Sequence, residues 1–361
     1  MSAAVAAGRL AARRVLPAAA LVPVAALLAL AIDDAAPVAG AIDDSGLARA
    51  AAGARVAAVF GWSGAAAVVA LAFCVRWAAR LRDELADGLL TADLSRSGWA
   101  AATWLGGSAT LALALALGAT VGALGGAVST AEHRVIGALD TPALALLEAN
   151  EARSLSIDPG ALGAATRLRA RLVALPGDGP VAVASLTLRR DGELRRAEGR
   201  VWNRRALEVE VPPGDGPLVV TLARLGRGAA VALERDGLTA LAPIGAGTAG
   251  TGTLGGRVAE RALFARTLLA LTAATALALG LVPWLSTGLA LGLVGALWIA
   301  AFTAQSATWP GGDLFAASRA VSSGVAPAPP SPAALATWAL LVGAGLVAAT
   351  LAPRTAREAG A

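Results

Sequence analysis

Six stretches of the chain, 15–32, 56–75, 100–128, 262–282, 288–304 and 334–351, are almost continuously apolar. Amphipathic helices and strands of a water-soluble domain break their apolar residues up every few positions. Runs approaching or exceeding the ~20 residues that cross ~30 Å of hydrocarbon have a different solution, because a backbone in lipid must satisfy its own hydrogen bonds as a helix. The pattern predicts a polytopic α-helical membrane protein with six transmembrane helices. A hydrophobic content of 57% agrees with it. The basic start at Arg9, Arg13 and Arg14 also suits a signal peptide, but a second long apolar run follows and favours a span.

Arginine distribution orients these spans. With a cytoplasmic N-terminus, the inside segments carry nine arginines (9, 13, 14, 76, 80, 82, 96, 354, 357) and the short outside loops three (49, 55, 319). The positive-inside rule therefore predicts a multi-pass protein of the cell (inner) membrane with both termini cytoplasmic. Trp77, Trp99, Trp284, Trp309 and Trp338 fall near span ends, where amphipathic rings gather. All 30 basic residues are arginine, so the sequence pI near 11.0 overstates a net charge of only +5. No basic run with interleaved aromatics exists, and a nucleic-acid partner is not expected.

The organisation expected is an N-terminal transmembrane half (1–128), an extracytoplasmic α+β insert (129–257) and a C-terminal transmembrane half (258–361). In the insert, Thr141-Pro142 before ALALLEANEA reads as the start of a short helix. From 166 the period becomes two: Arg167, Arg169 and Arg171 alternate with Leu168, Ala170 and Leu172, and Glu208 and Glu210 with Leu207, Val209 and Val211. Turn signals at PGDG (176), Asp191-Gly192, PPGDGP (212) and Asp236-Gly237 separate six or seven short strands, which predicts a small β-sandwich. A Gly/Thr linker, 245–256, follows.

Chemistry-bearing candidates are few. Gly245, Gly247 and Gly250 have GxGxxG spacing but end a β-domain instead of opening a βαβ unit, so they read as linker. Asp33, Asp34, Asp43 and Asp44 read as a solvated loop, since a hard-cation site needs more oxygens in fixed geometry. His133 lacks a nucleophile or metal partners, and one His, one Cys and one Met leave little for zinc or copper. Arg195, Arg196, Arg200, Arg204 and Arg205 read as a solvated face balanced by Glu193, Glu198, Glu208 and Glu210, although a lipid, glycan or protein partner is the alternative. Cys74 reads as packing. Acids and arginines are virtually absent from the six runs, and paired acids, Ser/Lys dyads and zinc ligands are missing. No enzyme and no ion-coupled carrier is indicated, and no cofactor is expected.

The polar stretch 76–98 stands apart. It is short, tethered by spans at both ends, and charged through Arg82–Leu94, the form of a docking element lying along the membrane surface. Glu84 with Gly88, then Asp93-Leu94-Ser95-Arg96 and Thr103-Trp104-Leu105-Gly106, resemble the coupling helix of the ABC-2 type transporter permeases, particularly the multicopper-enzyme-maturation-like subgroup. The resemblance covers roughly 10–125. Asp93 stands where that family has Pro and Thr103 where it has Lys, and the spacing from Gly88 to Ser95 is about one helical turn shorter.

The resemblance implies a permease subunit without ATPase activity of its own, coupled to a separate ABC ATPase subunit and paired with a second permease copy or paralogue. It serves export or envelope remodelling. It also implies that Glu84 and Arg96 make polar contacts with the ATPase, that Gly88 permits close approach, and that Ser95 caps the next helix. The scarcity of Met, His and Cys does not fit a copper function. The alternative is a non-transporting membrane scaffold whose β-domain recruits an envelope protein.

Overall fold

The computed structural model describes residues 3–35, 44–85, 96–128, 133–139, 146–148, 150–175, 182–201, 204–226, 230–244 and 257–351. They form two compact units: one of 1–131, 253–325 and 329–361, the other of 132–252 and 326–328.

The first unit is helical. α1 (Ala3–Ala19) and α2 (Leu21–Ala35) are separated at Ala20, where Pro23 removes the N–H that would bond the Ala19 carbonyl. α3 spans Asp44–Leu85 and α4 Arg96–Leu124; α6 (Val258–Leu281), α7 (Thr287–Thr303), α8 (Leu314–Ser322) and α9 (Pro332–Thr350) complete the unit. α4 stops in a Schellman arrangement: Gly126 takes φ +82°, its N–H donates to the Ala123 carbonyl, and Ala127 N–H donates to the Gly122 carbonyl. Ser286 and Ser331 cap α7 and α9, their hydroxyls accepting from Leu289 N–H and Ala334 N–H.

Among the described residues, five segments are long and apolar enough to cross a membrane: Val5–Ile32 (α1 with α2), Ala52–Arg80, Ser97–Leu124, Val258–Leu281 and Pro332–Thr350. α7, also apolar, has 17 residues. Exposed Leu27, Leu28, Val68, Phe73, Leu113, Ile299 and Leu340 suit lipid-facing surfaces of a membrane protein.

Small residues bring these helices together, as they do where lipid removes the hydrophobic incentive to pack. A Cβ on Gly345 of α9 would lie 2.5 Å from the Ala276 carbonyl carbon of α6, and one on Gly280 of α6 2.9 Å from the Gly345 Cα. Gly106 of α4 meets the Gly8 backbone of α1 in the same way. Thr272 of α6 ties three helices: its carbonyl accepts from Trp104 Nε1 of α4 (2.9 Å) and its Oγ1 from Trp338 Nε1 of α9 (2.8 Å). The ring of Trp338 is thus turned into the bundle.

The second unit is a β-sandwich of two antiparallel sheets. Its strands are β1 (His133–Ala138), β2 (Leu146–Leu147), β3 (Ala152–Ile157), β4 (Arg167–Ala174), β5 (Ala182–Arg190), β6 (Glu193–Val201), β7 (Arg204–Glu210), β8 (Leu218–Leu225) and β9 (Val231–Pro243), with the short α5 (Pro159–Leu162) between β3 and β4. One sheet has the order β1-β9-β4-β7, with β2 also on β9; the other is β3-β8-β5-β6. Leu168, Leu172 and Leu238 of the first sheet and Leu186, Leu218 and Leu222 of the second share one core. Each such burial contributes roughly 1.5–3 kcal/mol. Ala326 adds a parallel bridge to β1: Val135 N–H donates to its carbonyl (2.7 Å), and its N–H to the His133 carbonyl (2.9 Å).

Two sequence expectations change here. The short helix predicted from 142 is not formed over 146–157, where β2, a turn and β3 lie instead; 140–145 are outside the described residues. Asn150 adopts φ +55°, Glu151 N–H donates to the Glu148 carbonyl, and the Glu151 carboxylate accepts from Glu148 N–H, so a turn interrupts the good helix formers. That N–H, with Arg153 alongside, holds the Glu151 carboxyl below its ordinary value. Asp236-Gly237 is no hairpin: it lies inside β9 as a bulge, where a Cβ on Gly237 would meet the Glu234 carbonyl oxygen at 2.5 Å. Asp191-Gly192 does turn β5 into β6, with both residues at positive φ, as a type I′ hairpin requires.

The charge ledger of the sandwich also differs. Glu208 and Glu210 do not balance the Arg195 cluster; they lie opposite Arg169 and Arg167 in the β4/β7 register and pair with them, Arg169 being 5% exposed. On β6, Arg195 pairs with Glu193 and Arg196 with Glu198. The side chains of Arg204 and Arg205, the PGDG signal and 245–256, including Gly245, Gly247 and Gly250, lie outside the described residues.

Candidate functional site

The proposed coupling residues flank a gap in the described chain. Glu84 is the penultimate residue of α3 and Arg96 the first of α4, while Gly88 and Ser95 fall in 86–95, outside the described residues. The docking segment expected to lie along the membrane surface from Arg82 needs correcting at its start: Arg82–Leu85 are the last turn of α3. Nothing in RWAARLRDEL stops a helix, since it has neither Gly nor Pro and consists largely of strong helix formers. α3 consequently runs 42 residues, ~63 Å at 1.5 Å per residue. In α4, the Trp104 and Gly106 of the resembling motif hold the helix against α6 and α1, as described above.

A cavity of about 530 Å³ opens between α3, α6, α7 and α8, a volume typical of ligand pockets. Phe60, Trp298, Phe302 and Phe315 line it with aromatic surface. Its depth comes from glycine. A Cβ on Gly61 or Gly295 would meet nothing within 4 Å, so these glycines create open space, unlike those at the helix crossings. A second cavity of about 500 Å³ shares Ala72 and Leu291 with the first and adds Arg76, Arg80, Thr287 and Gly288.

At the other side of the first cavity sits a buried ion pair that the reading of the apolar runs missed. Arg266 lies inside the fourth run and is 4% exposed; its Nε and Nη2 each donate to Asp313 Oδ2 at 2.8 Å, and Nη1 donates to the Ala262 carbonyl. Asp313 comes from the polar loop 47 residues on, a separation no local pattern reveals. Next to it, Arg319 stacks on Phe315 at 4.7 Å from the ring centroid. This arrangement neutralises a charge inside the bundle and leaves an apolar, aromatic chamber able to hold a hydrocarbon chain. Among the described residues, no three of His, Cys, Asp and Glu gather as a metal site. His133 is the first residue of β1.

No family of known proteins, no curated protein and no solved structure matches this chain.

Proposed function

We propose that the chain is the membrane-spanning permease subunit of an ABC-2 type transporter, driven by a separate ATPase that engages the segment containing Glu84, Gly88, Ser95 and Arg96. The observation that carries this reading is α3. About half of its ~63 Å length suffices to cross the hydrocarbon, and the helix continues without a break for a further ~15 Å into the charged end at Arg76–Leu85. An unbroken helix transmits a push at that end to the bundle. In this reading α7 is the sixth and shortest span, both termini are cytoplasmic, and the β-sandwich is extracytoplasmic, as nine arginines against three favour. The subunit pairs with a second permease copy or paralogue and performs export or envelope remodelling. The buried Arg266–Asp313 pair of the bundle is mutually neutralised, which suits an outside source of energy better than an ion relay.

The test is co-purification in detergent, followed by ATPase assay. The native complex should contain a Walker-type ATPase, and Glu84→Arg with Arg96→Glu together should abolish the permease-dependent part of its activity. A complex without an ATPase, and ATP hydrolysis indifferent to the charge reversal, sinks the reading. A second reading, a scaffold recruiting an envelope protein, is favoured by the β-sandwich with a core of its own. A neighbouring reading frame encoding an ABC ATPase decides for the permease, and its absence for the scaffold.

A further inference from the structure

The two cavities adjoin along α3 and α7, where they share Ala72 and Leu291, and together they line a groove between these helices. On α3 the first cavity is walled by Ala57, Gly61, Gly64, Val68 and Ala72, three or four residues apart, and the second by Ala72, Arg76 and Arg80. On α7 the wall runs back from Phe302 through Trp298 and Gly295 to Leu291 and Thr287. Along α3 the apolar part covers ~22 Å, more than half of a ~30 Å hydrocarbon layer, before the charges begin.

Three features define the occupant. The apolar walls exclude a polar solute. The glycines leave room that no protein side chain fills. Both arginines are exposed, and among the described residues neither guanidinium has a hydrogen bond or ion pair. A molecule complementary to this groove has a hydrocarbon chain joined to a negatively charged head, and the bilayer around the helices is its source. We propose that the α3/α7 groove is a binding site for an anionic phospholipid, one acyl chain lying against Gly61, Gly295 and Trp298 and the phosphate at Arg76 and Arg80. The site requires only that the chain is in a membrane, and its test needs no ATPase partner.

Each basic residue near an anionic lipid surface contributes roughly a factor of five in affinity, so the two together contribute roughly twenty-five-fold. The full-length protein, delipidated in detergent, is titrated with phosphatidylglycerol, phosphatidylcholine or inorganic phosphate, and binding is read by native mass spectrometry. Wild type should bind phosphatidylglycerol at least tenfold more tightly than phosphatidylcholine, with inorganic phosphate unable to compete at equal concentration. Arg76→Gln/Arg80→Gln, both at exposed positions, should erase the preference for phosphatidylglycerol while phosphatidylcholine binding stays unchanged. Gly295→Leu, which fills the chamber, should weaken both lipids. Equal binding of the two lipids by wild type overturns the proposal, as does a preference that survives the double substitution. Competition by inorganic phosphate alone would reassign the site to a free anion and likewise overturn it.

Discussion

Replacing Gly345 with alanine tests whether close backbone contact holds α9 on α6. The added Cβ would sit 2.5 Å from the Ala276 carbonyl carbon and 2.8 Å from the Leu277 nitrogen, against at least 3.4 Å for ordinary contact. The helices must therefore part by something approaching 1 Å, and overpacking of this kind costs about 1–3 kcal/mol. Alanine also propagates a helix better than glycine by about 1 kcal/mol, which masks part of the loss. Gly343, two residues away on the same helix, removes that ambiguity: a Cβ there meets nothing within 4 Å. The difference between Gly345→Ala and Gly343→Ala isolates the packing cost.

The chain carries its own reporter. Cys74 is the sole cysteine and is fully buried, in a cluster that includes Leu271 and Ala278 of α6. A fluorogenic maleimide should label it only as the bundle opens on heating. At roughly 2–4 °C per kcal/mol for a unit of this size, Gly345→Ala should unmask Cys74 some ~2–12 °C below Gly343→Ala. Coincident melting curves would refute the packing described for α6 and α9.

Two further substitutions probe other parts of the fold. Asp313→Asn leaves the Arg266 guanidinium buried without its counter-charge and should cost about 3 kcal/mol, toward the low end of such losses because Asp313 is partly exposed. Arg266→Met with Asp313→Leu should recover most of that loss in the same maleimide assay. Gly192→Ala forces a Cβ onto a residue at φ +86° in the β5/β6 hairpin and should cost more than about 1 kcal/mol. Its effect should appear as faster proteolysis at sites within 182–201 while Cys74 unmasking is unchanged.

What the linear chain discloses follows the range of the forces involved. Apolar runs and a period of two are local records of what surrounds each residue, so the long helices and strands β4–β9 are legible, as is Asp191-Gly192, whose positive-φ pair has one common use. The strand pair around Asn150 is not, because Ala, Leu and Glu there favour a helix in isolation, and Leu147 is claimed instead by its place on β9. Gly237 carries a turn signal yet serves as a bulge; only the partner strand distinguishes the two. The Arg266–Asp313 pair and the α3/α7 groove join residues far apart in sequence, and they become visible only when the helices are set side by side. In the groove the informative residues are glycines, Gly61 and Gly295, whose contribution is empty space.

The bridge between Ala326 and β1 bears on how this gene can be cut. A cloned fragment ending at 252 would leave Val135 N–H and the His133 carbonyl at a bare margin, inviting another copy's strand to take the vacancy. Supplying a synthetic peptide spanning 322–330, or splicing those residues onto the fragment through a short tether, restores the missing rung.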